Sequence, residues 1–238
     1  MDELKQELAE KAKALGHALL GVVTPETADQ YAGIEVGWVN RTTVPVTEVF
    51  AGVRSVVVVG YPIWDRSLDL ALRRPGGGWT YPGHILPSLA ARAVRQALTE
   101  DGHRVNSPGY APISFKKLAV EAGFGAQGKS SLLINRVYGP NLRLGVVLTD
   151  AELTPDQPAG EDLCGECRAC VEACPVGALE PYRLDPHRCL VGSTLRGKER
   201  PADDHQTRLS AHAHVMCRVC QDVCPHGRFR EDEPGWAG

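Results

Sequence analysis

Apolar residues fall into two periods along the first part of the chain. Leu4, Leu8, Ala12 and Leu15 recur at helical spacing with charges between them, and Gly16 supplies a stop, so a helix is expected at the N-terminus. A short strand is expected from Ala18 to Val23, ending at Thr24-Pro25. From there to Phe50 no period stands out. Ser55 to Tyr61 is a β-branched run between Gly52 and Pro62 and reads as a central strand buried on both faces.

The breaker-rich stretch from Arg74 to Gly83 reads as a loop. A helix is predicted from Pro87 to Glu100, with Leu89, Ala93 and Ala97 inward and Gly102 closing it. A second is expected from Ser114 to Ala122. Strands are expected at Leu132–Ile134 and Leu144–Thr149, separated by the turn Tyr138-Gly139-Pro140-Asn141. This alternation predicts an N-terminal α/β domain over residues 1–153 of an α+β chain. Thr154 to Gly160 is a linker by composition, and every cysteine lies beyond it, in a second domain expected over 161–230.

Composition narrows the class. The 238 residues are 43% hydrophobic and 23% charged, which suits a folded protein with a core that needs no staples. The eight cysteines therefore have another purpose. Net charge is −3 and no long Lys/Arg run occurs, so the electrostatic footprint of a nucleic-acid binder is missing. The longest apolar run, Val56 to Val59, is far below the ~20 residues that span a bilayer, so no membrane association is expected. The acidic start, Met1-Asp2-Glu3, is unlike a secretory signal, and a cytoplasmic location with reduced thiols is expected. The cysteines then read as ligands.

Cys164, Cys167, Cys170 and Cys174, followed by Pro175, form C-x2-C-x2-C-x3-C-P, the run of bacterial two-cluster ferredoxins. A tight loop wraps three sulfurs around one cube, while the fourth points away along a helix toward a second cube. Cys217, Cys220, Cys224 and Pro225 echo the end of that run, and Cys189 stands alone upstream. The exchange rule gives Cys164, Cys167, Cys170 and Cys224 to a first [4Fe-4S] cluster and Cys174, Cys189, Cys217 and Cys220 to a second. Two structural zincs are the rival reading, but zinc sites use pairs separated by longer stretches. Gly165, Gly192 and Gly227 are candidates to let backbone amides approach the sulfurs. His205, His212 and His214 lie in a segment of turn and helix character before Cys217 and are not needed as ligands. Asp203-Asp204 reads as solvated loop, and Tyr61 and Trp64 as packing or a pocket rim.

Gly123-Phe124-Gly125-Ala126-Gln127-Gly128-Lys129-Ser130 fits both G-x-G-x-x-G and G-x-x-x-x-G-K-S. Both motifs need a strand before and a helix after, so that phosphate sits on a helix N-terminus. Here the preceding segment reads as a helix and the following one as extended, so the glycines are expected to turn a corner or pass close to something flat.

Together these residues resemble epoxyqueuosine reductases and reductive dehalogenases. The resemblance rests on Ala122 to Lys129, Leu132-Leu133-Ile134, Tyr138-Gly139-Pro140, Leu148-Thr149-Asp150, the first cysteine run, Leu184-Asp185-Pro186-His187-Arg188-Cys189 and Cys220-Gln221-Asp222-Val223-Cys224-Pro225. It implies an N-terminal domain holding cobalamin without a protein ligand to cobalt, fed one electron at a time by the two clusters. The reduced cobalt would remove oxygen or halogen from a small-molecule substrate. The family's Asp-Tyr-His string is replaced by Trp79-Thr80-Tyr81-Pro82-Gly83-His84, which leaves Tyr81 or His84 as candidate proton donor, with a helix cap as the equal alternative for His84. Ser114, Gly125, Gly128 and Lys129 are the positions the resemblance offers for holding the cofactor. An external ferredoxin- or flavodoxin-type donor is implied. The chain ends at Gly238 soon after the last motif, and with its net charge this argues against docking of a whole tRNA. The alternative is an electron-transfer partner that reactivates another corrinoid protein.

Overall fold

The valine run becomes the middle of a layered core. This computed structural model describes residues 3–16, 18–36, 41–63, 65–108, 112–195 and 208–226. Trp64, Asp203, Asp204, His205 and Gly227 lie outside them. In chain order come α1 (Glu3–Lys13), β1 (Leu19–Val23), α2 (Pro25–Asp29), β2 (Glu35–Val36), β3 (Arg41–Thr42), α3 (Val46–Val49) and β4 (Ser55–Pro62). A 3-10 turn (Arg66–Asp69) leads into β5 (Leu70–Arg73) and β6 (Trp79–Thr80). A second (Pro82–His84) runs into α4 (Ile85–Glu100), then β7 (Val105–Asn106), α5 (Phe115–Glu121), β8 (Ala126–Gln127), β9 (Leu133–Ile134) and β10 (Leu142–Thr149). The cysteine region carries α6 (Ala169–Glu172), β11 (Leu179–Glu180), β12 (Arg183–Leu184), α7 (Leu190–Leu195), β13 (Arg208–Ser210), β14 (Ala213–Val215) and α8 (Val219–Asp222). Among the described residues no helix is long and apolar enough to cross a membrane.

The main sheet has the order β1-β4-β10-β7. Val57, Val59 and Tyr61 of β4 pack against α1 and α4, and Val56 and Val58 against α2, α3 and α5. Each fully buried valine contributes about 1.5–3 kcal/mol, which is why the run forms the middle layer. The sheet is antiparallel throughout, so this part of the chain is α+β rather than the expected α/β type. Helices on both faces give a strand the same continuous apolar pattern whichever way its neighbours run.

Helix α4 presents Ala90, Ala91, Val94, Ala97 and Leu98 to the sheet, whereas Leu89, expected inward, is exposed. Small residues decide this phase. A side chain at Gly145 of β10 would crowd the Pro87 carbonyl and the Ala91 methyl, so the helix approaches on its alanine face. The expected loop after Arg74 is a hairpin: β5 and β6 pair around Gly76, Gly77 and Gly78, all at positive φ.

A second sheet, β13-β14-β5-β6, joins residues from before and after the composition-defined linker. The His212–His214 segment, expected as turn and helix, is the β13–β14 hairpin, and His214 stacks edge-on against Trp79 at 4.8 Å. The linker itself is fastened: Asp156 accepts from Lys5 Nζ and from the Val22 N–H, each at 2.8 Å.

Candidate functional site

The cysteines occupy a duplicated unit. Cys170 and Cys220 sit on the single-turn helices α6 and α8, which pack against each other, and each helix runs out into a second cysteine followed by proline. The helices are too short to stand alone; their turns are set by the packing between them.

The thiols of the two runs lie within electrostatic reach of one another. Burial raises the Cys170 pKa, with Cys164, Cys224 and Cys167 adding to the shift. Burial pushes Cys220 up to about 12, with Cys217, Cys189, Cys170 and Cys174 contributing in that order. Cys224 is thus a neighbour of the first run, and Cys174 and Cys189 are neighbours of the last. Among the described residues no three Cys, His, Asp or Glu side chains converge on one ion position. Burial works against the thiolate at Cys170 and Cys220, so there it is iron that would hold it.

Among the described residues, two backbone amides reach the sulfurs from outside the expected glycines. The Lys129 N–H donates to Cys164 Sγ at 3.4 Å and the Ala178 N–H to Cys174 Sγ at 3.3 Å. Gly192 instead lies against the Pro186 carbonyl, and Gly165 forms the turn between Cys164 and Cys167. The glycine loop is therefore part of the first cysteine site. It follows α5 and leads into the β8–β9 hairpin, the reverse of a phosphate loop's strand-to-helix order. A methyl on Gly125 would overlap the Ile134 carbonyl; one on Gly128 would meet the Ile134 side chain and approach Cys164 Sγ. The Lys129 ammonium is spent on the Gly165 carbonyl. Ser114 stands before α5 and accepts the Leu118 N–H through its carbonyl.

His84 stands at the N-terminus of α4. It is exposed to solvent, yet burial lowers its pKa to about 4, with Arg143 deepening the shift. Two more groups share this character. Lys116 falls to about 8 through burial and Lys117, against a smaller opposite effect of Cys189. Arg143 falls to about 10 through burial, though its side chain is 18% exposed. Tyr81 faces His84 with ring centroids 5.5 Å apart, and burial raises its hydroxyl pKa. The two candidate proton donors are therefore side by side, one a neutral imidazole at pH 7 and the other a protonated phenol. Tyr61 is in the core instead, its hydroxyl close over Gly16.

Three residues escaped the sequence reading. Arg143 is a lone charge in the otherwise apolar strand Leu142–Thr149, a signal that could have marked it. Arg218 lies between Cys217 and Cys220, a position that could have marked it. Asp69, to which both arginines donate, is an ordinary loop aspartate in the sequence.

A corrinoid ring is fringed with amide side chains and needs hydrogen-bonding groups around its cavity. Arg143 fits that need: its Nε is buried and has no hydrogen-bond partner. The Lys116 ammonium donates to the Ser131 carbonyl at 2.6 Å.

Residues 163–227 match the family model described as a 4Fe-4S double cluster binding domain. The fold is shared with a crystal structure of an epoxyqueuosine reductase with a tRNA-Tyr epoxyqueuosine-modified tRNA stem loop (TM-score 0.68, 22% identity, 94% of this chain and 65% of that one). A reductive dehalogenase, described as B12-dependent, shares it too (TM-score 0.65, 18% identity, 96% of this chain and 32% of that one). An epoxyqueuosine reductase of Cyclobacterium marinum is 38% identical over 120 residues, so the match spans 50% of this chain and 38% of that protein. The epoxyqueuosine reductase of Synechococcus sp. (strain RCC307) is 31% identical over 249 residues, 94% of this chain and 74% of the relative. With a double-cluster domain at its C-terminal end and a likeness that runs through nearly its whole length, the chain belongs to the epoxyqueuosine reductase family.

Proposed function

We propose that the chain is an iron–sulfur reductase in which two [4Fe-4S] clusters pass single electrons to a corrinoid held beside His84. The observation that carries this reading is one of adjacency. Lys116, which donates to the Ser131 carbonyl, is within electrostatic reach of Cys189, a member of the second thiol set. The second cluster would thus lie near Lys116, and the first, whose Cys167 is exposed, would face an external ferredoxin- or flavodoxin-type donor.

When bound, a corrinoid supplies a cobalt centre reducible in single-electron steps and able to take a carbon–oxygen bond apart. The protein's own residues do the rest. Arg143 and Lys116 hold polar ring substituents and keep the site positive toward an electron-rich cofactor. No side chain is needed as a cobalt ligand. Removing oxygen from an epoxide to leave an alkene takes up two electrons and two protons and releases water. Two one-electron clusters can store that electron pair. Tyr81, protonated and beside the neutral His84, is the group placed to give a proton.

Epoxyqueuosine within a tRNA is the substrate class this reading favours, by likeness to the family. The whole-chain charge of −3 argued otherwise, but phosphate contacts depend on local charge. Exposed Arg73, Arg74 and Arg208 give the β5–β6–β13 surface a local basic face. A partner that merely docks another corrinoid protein would be better served by a flat surface than by a buried, orphaned guanidinium N–H.

Titrating anaerobically reconstituted protein with cobalamin tests the proposal. Stoichiometric binding with the spectrum of a corrinoid lacking its axial base is expected, together with tighter binding of an epoxyqueuosine-modified stem loop than of an unmodified one. Iron–sulfur spectra with no corrinoid binding would overturn it in favour of the electron-transfer partner.

A further inference from the structure

The duplicated cysteine unit carries the same arginine in both halves. Arg168 caps α6 at φ −127°, ψ 9°, and Arg218 caps α8 at φ −124°, ψ 5°. Each Nε reaches the acid four residues on, Glu172 at 3.8 Å and Asp222 at 3.4 Å. Their surroundings differ sharply. The Arg168 side chain is 52% exposed and that of Arg218 only 3%.

What buries Arg218 is a carboxylate from the other end of the chain. Asp69, 1% exposed, accepts from Arg218 Nη1 with one oxygen and from Arg143 Nη2 with the other. Arg218 Nη2 donates to Asn141 Oδ1 at 2.8 Å. The Asp69 backbone is tied to the same place: its carbonyl accepts the Met216 N–H at 2.9 Å, and the next residue, Leu70, pairs with Val215. One buried carboxylate thus joins Arg143 to an arginine lodged between Cys217 and Cys220.

We infer that Asp69 is a positioning residue for electron transfer, holding and offsetting the Arg218 charge so that the second cluster keeps a lower reduction potential than Arg218 alone would impose. This rests on reading the cysteines as two cluster sites. Reduction adds an electron to an anionic cluster, so a nearby cation favours the reduced form. Solvent screens Arg168 beside the first cluster, but it cannot screen Arg218, and there the counter-charge has to come from protein. A role in architecture alone would need the hydrogen bonds of Asp69 but not its charge.

Asp69→Asn in the cluster-loaded full chain separates the two. Redox titration followed by paramagnetic resonance reads both clusters, and the second is identified as the signal lost in Cys189→Ser. In Asp69→Asn the reduced-to-oxidised ratio of the second cluster at a fixed potential is expected to rise about tenfold, equivalent to about 59 mV for one electron, with the first unmoved. Asn141→Asp, which puts a negative charge on the other side of Arg218, is expected to lower that ratio, and Arg168→Gln to move neither midpoint. Full iron and sulfide content with unmoved midpoints in both Asp69→Asn and Asn141→Asp would overturn the inference. If Asp69→Asn loses its clusters, Asn141→Asp decides alone. Wild-type protein containing zinc without iron would instead remove the cluster reading on which this rests.

Discussion

The backbone N–H of Lys129 points at Cys164 Sγ from 3.4 Å, which makes the glycine loop of the first part of the chain a wall of the first cluster site. Its ammonium closes the other side of the same turn at the Gly165 carbonyl.

Lys129→Met should therefore loosen that turn while leaving the backbone N–H in place. The lost charge-assisted hydrogen bond is worth about 1.5–3 kcal/mol. The first cluster should release iron to a chelator faster than in wild type, with the second unchanged. Magnesium–ATP should leave the melting temperature of the wild-type protein where it is. A nucleotide-induced rise would restore the phosphate-loop reading.

The crossed thiol sets predict an unusual pattern in serine variants. Cys224→Ser should cost the first cluster and Cys174→Ser the second, although each sits at the end of the other's sequence run. The double variant Cys164→Ser/Cys224→Ser should retain one cluster, and Cys164→Ser/Cys174→Ser none. Iron and acid-labile sulfide analysis with paramagnetic resonance distinguishes these outcomes.

His84 predicts an acid sensitivity in its own window. Its pKa falls from 6.5 to about 4 on folding, so between these values the unfolded chain binds a proton that the folded chain refuses. Its stabilising contribution is complete above pH 6.5 and is lost as pH falls toward 4. Asp65, Asp150 and Asp162, all lowered from 3.8 by their hydrogen bonds, act only at lower pH. In cluster-loaded protein without corrinoid, His84→Asn should shrink the drop in melting temperature between pH 6.5 and 4.5. An unchanged drop would place the imidazole in water.

Gly83 predicts a steric effect at the same corner. A methyl there would overlap the Leu68 carbonyl, in the turn that carries Asp69. Gly83→Ala should cost about 1–3 kcal/mol, as overpacking does, read as a lowered urea midpoint with unchanged slope.

Local rules carried the reading furthest where chemistry repeats within a few residues. The C-x2-C-x2-C-x3-C-P run, its echo at Cys220 and the decoy nature of the glycine loop all follow from short-range geometry, and each agrees with the fold. The strand at Ser55 was legible because four valines in a row suit only a buried strand. The inward face of α4 was not, because alanines opposite Gly145 outweighed a leucine. The β13–β14 hairpin was missed for a similar reason: its partner β5 lies about 140 residues earlier, and the five residues from Arg208 to His212 are exposed, so no buried face marks it.

From its residues alone, then, this chain was bound to make a two-cluster sulfur site, since ligand type and spacing are covalent facts. The sequence did not determine that Cys189 would stand near Lys116 or that Asp69 would hold both Arg143 and Arg218. Those meetings join residues 73 to 149 positions apart, and packing selects them among many alternatives, by burying apolar faces and by penalising every buried charge left without a partner.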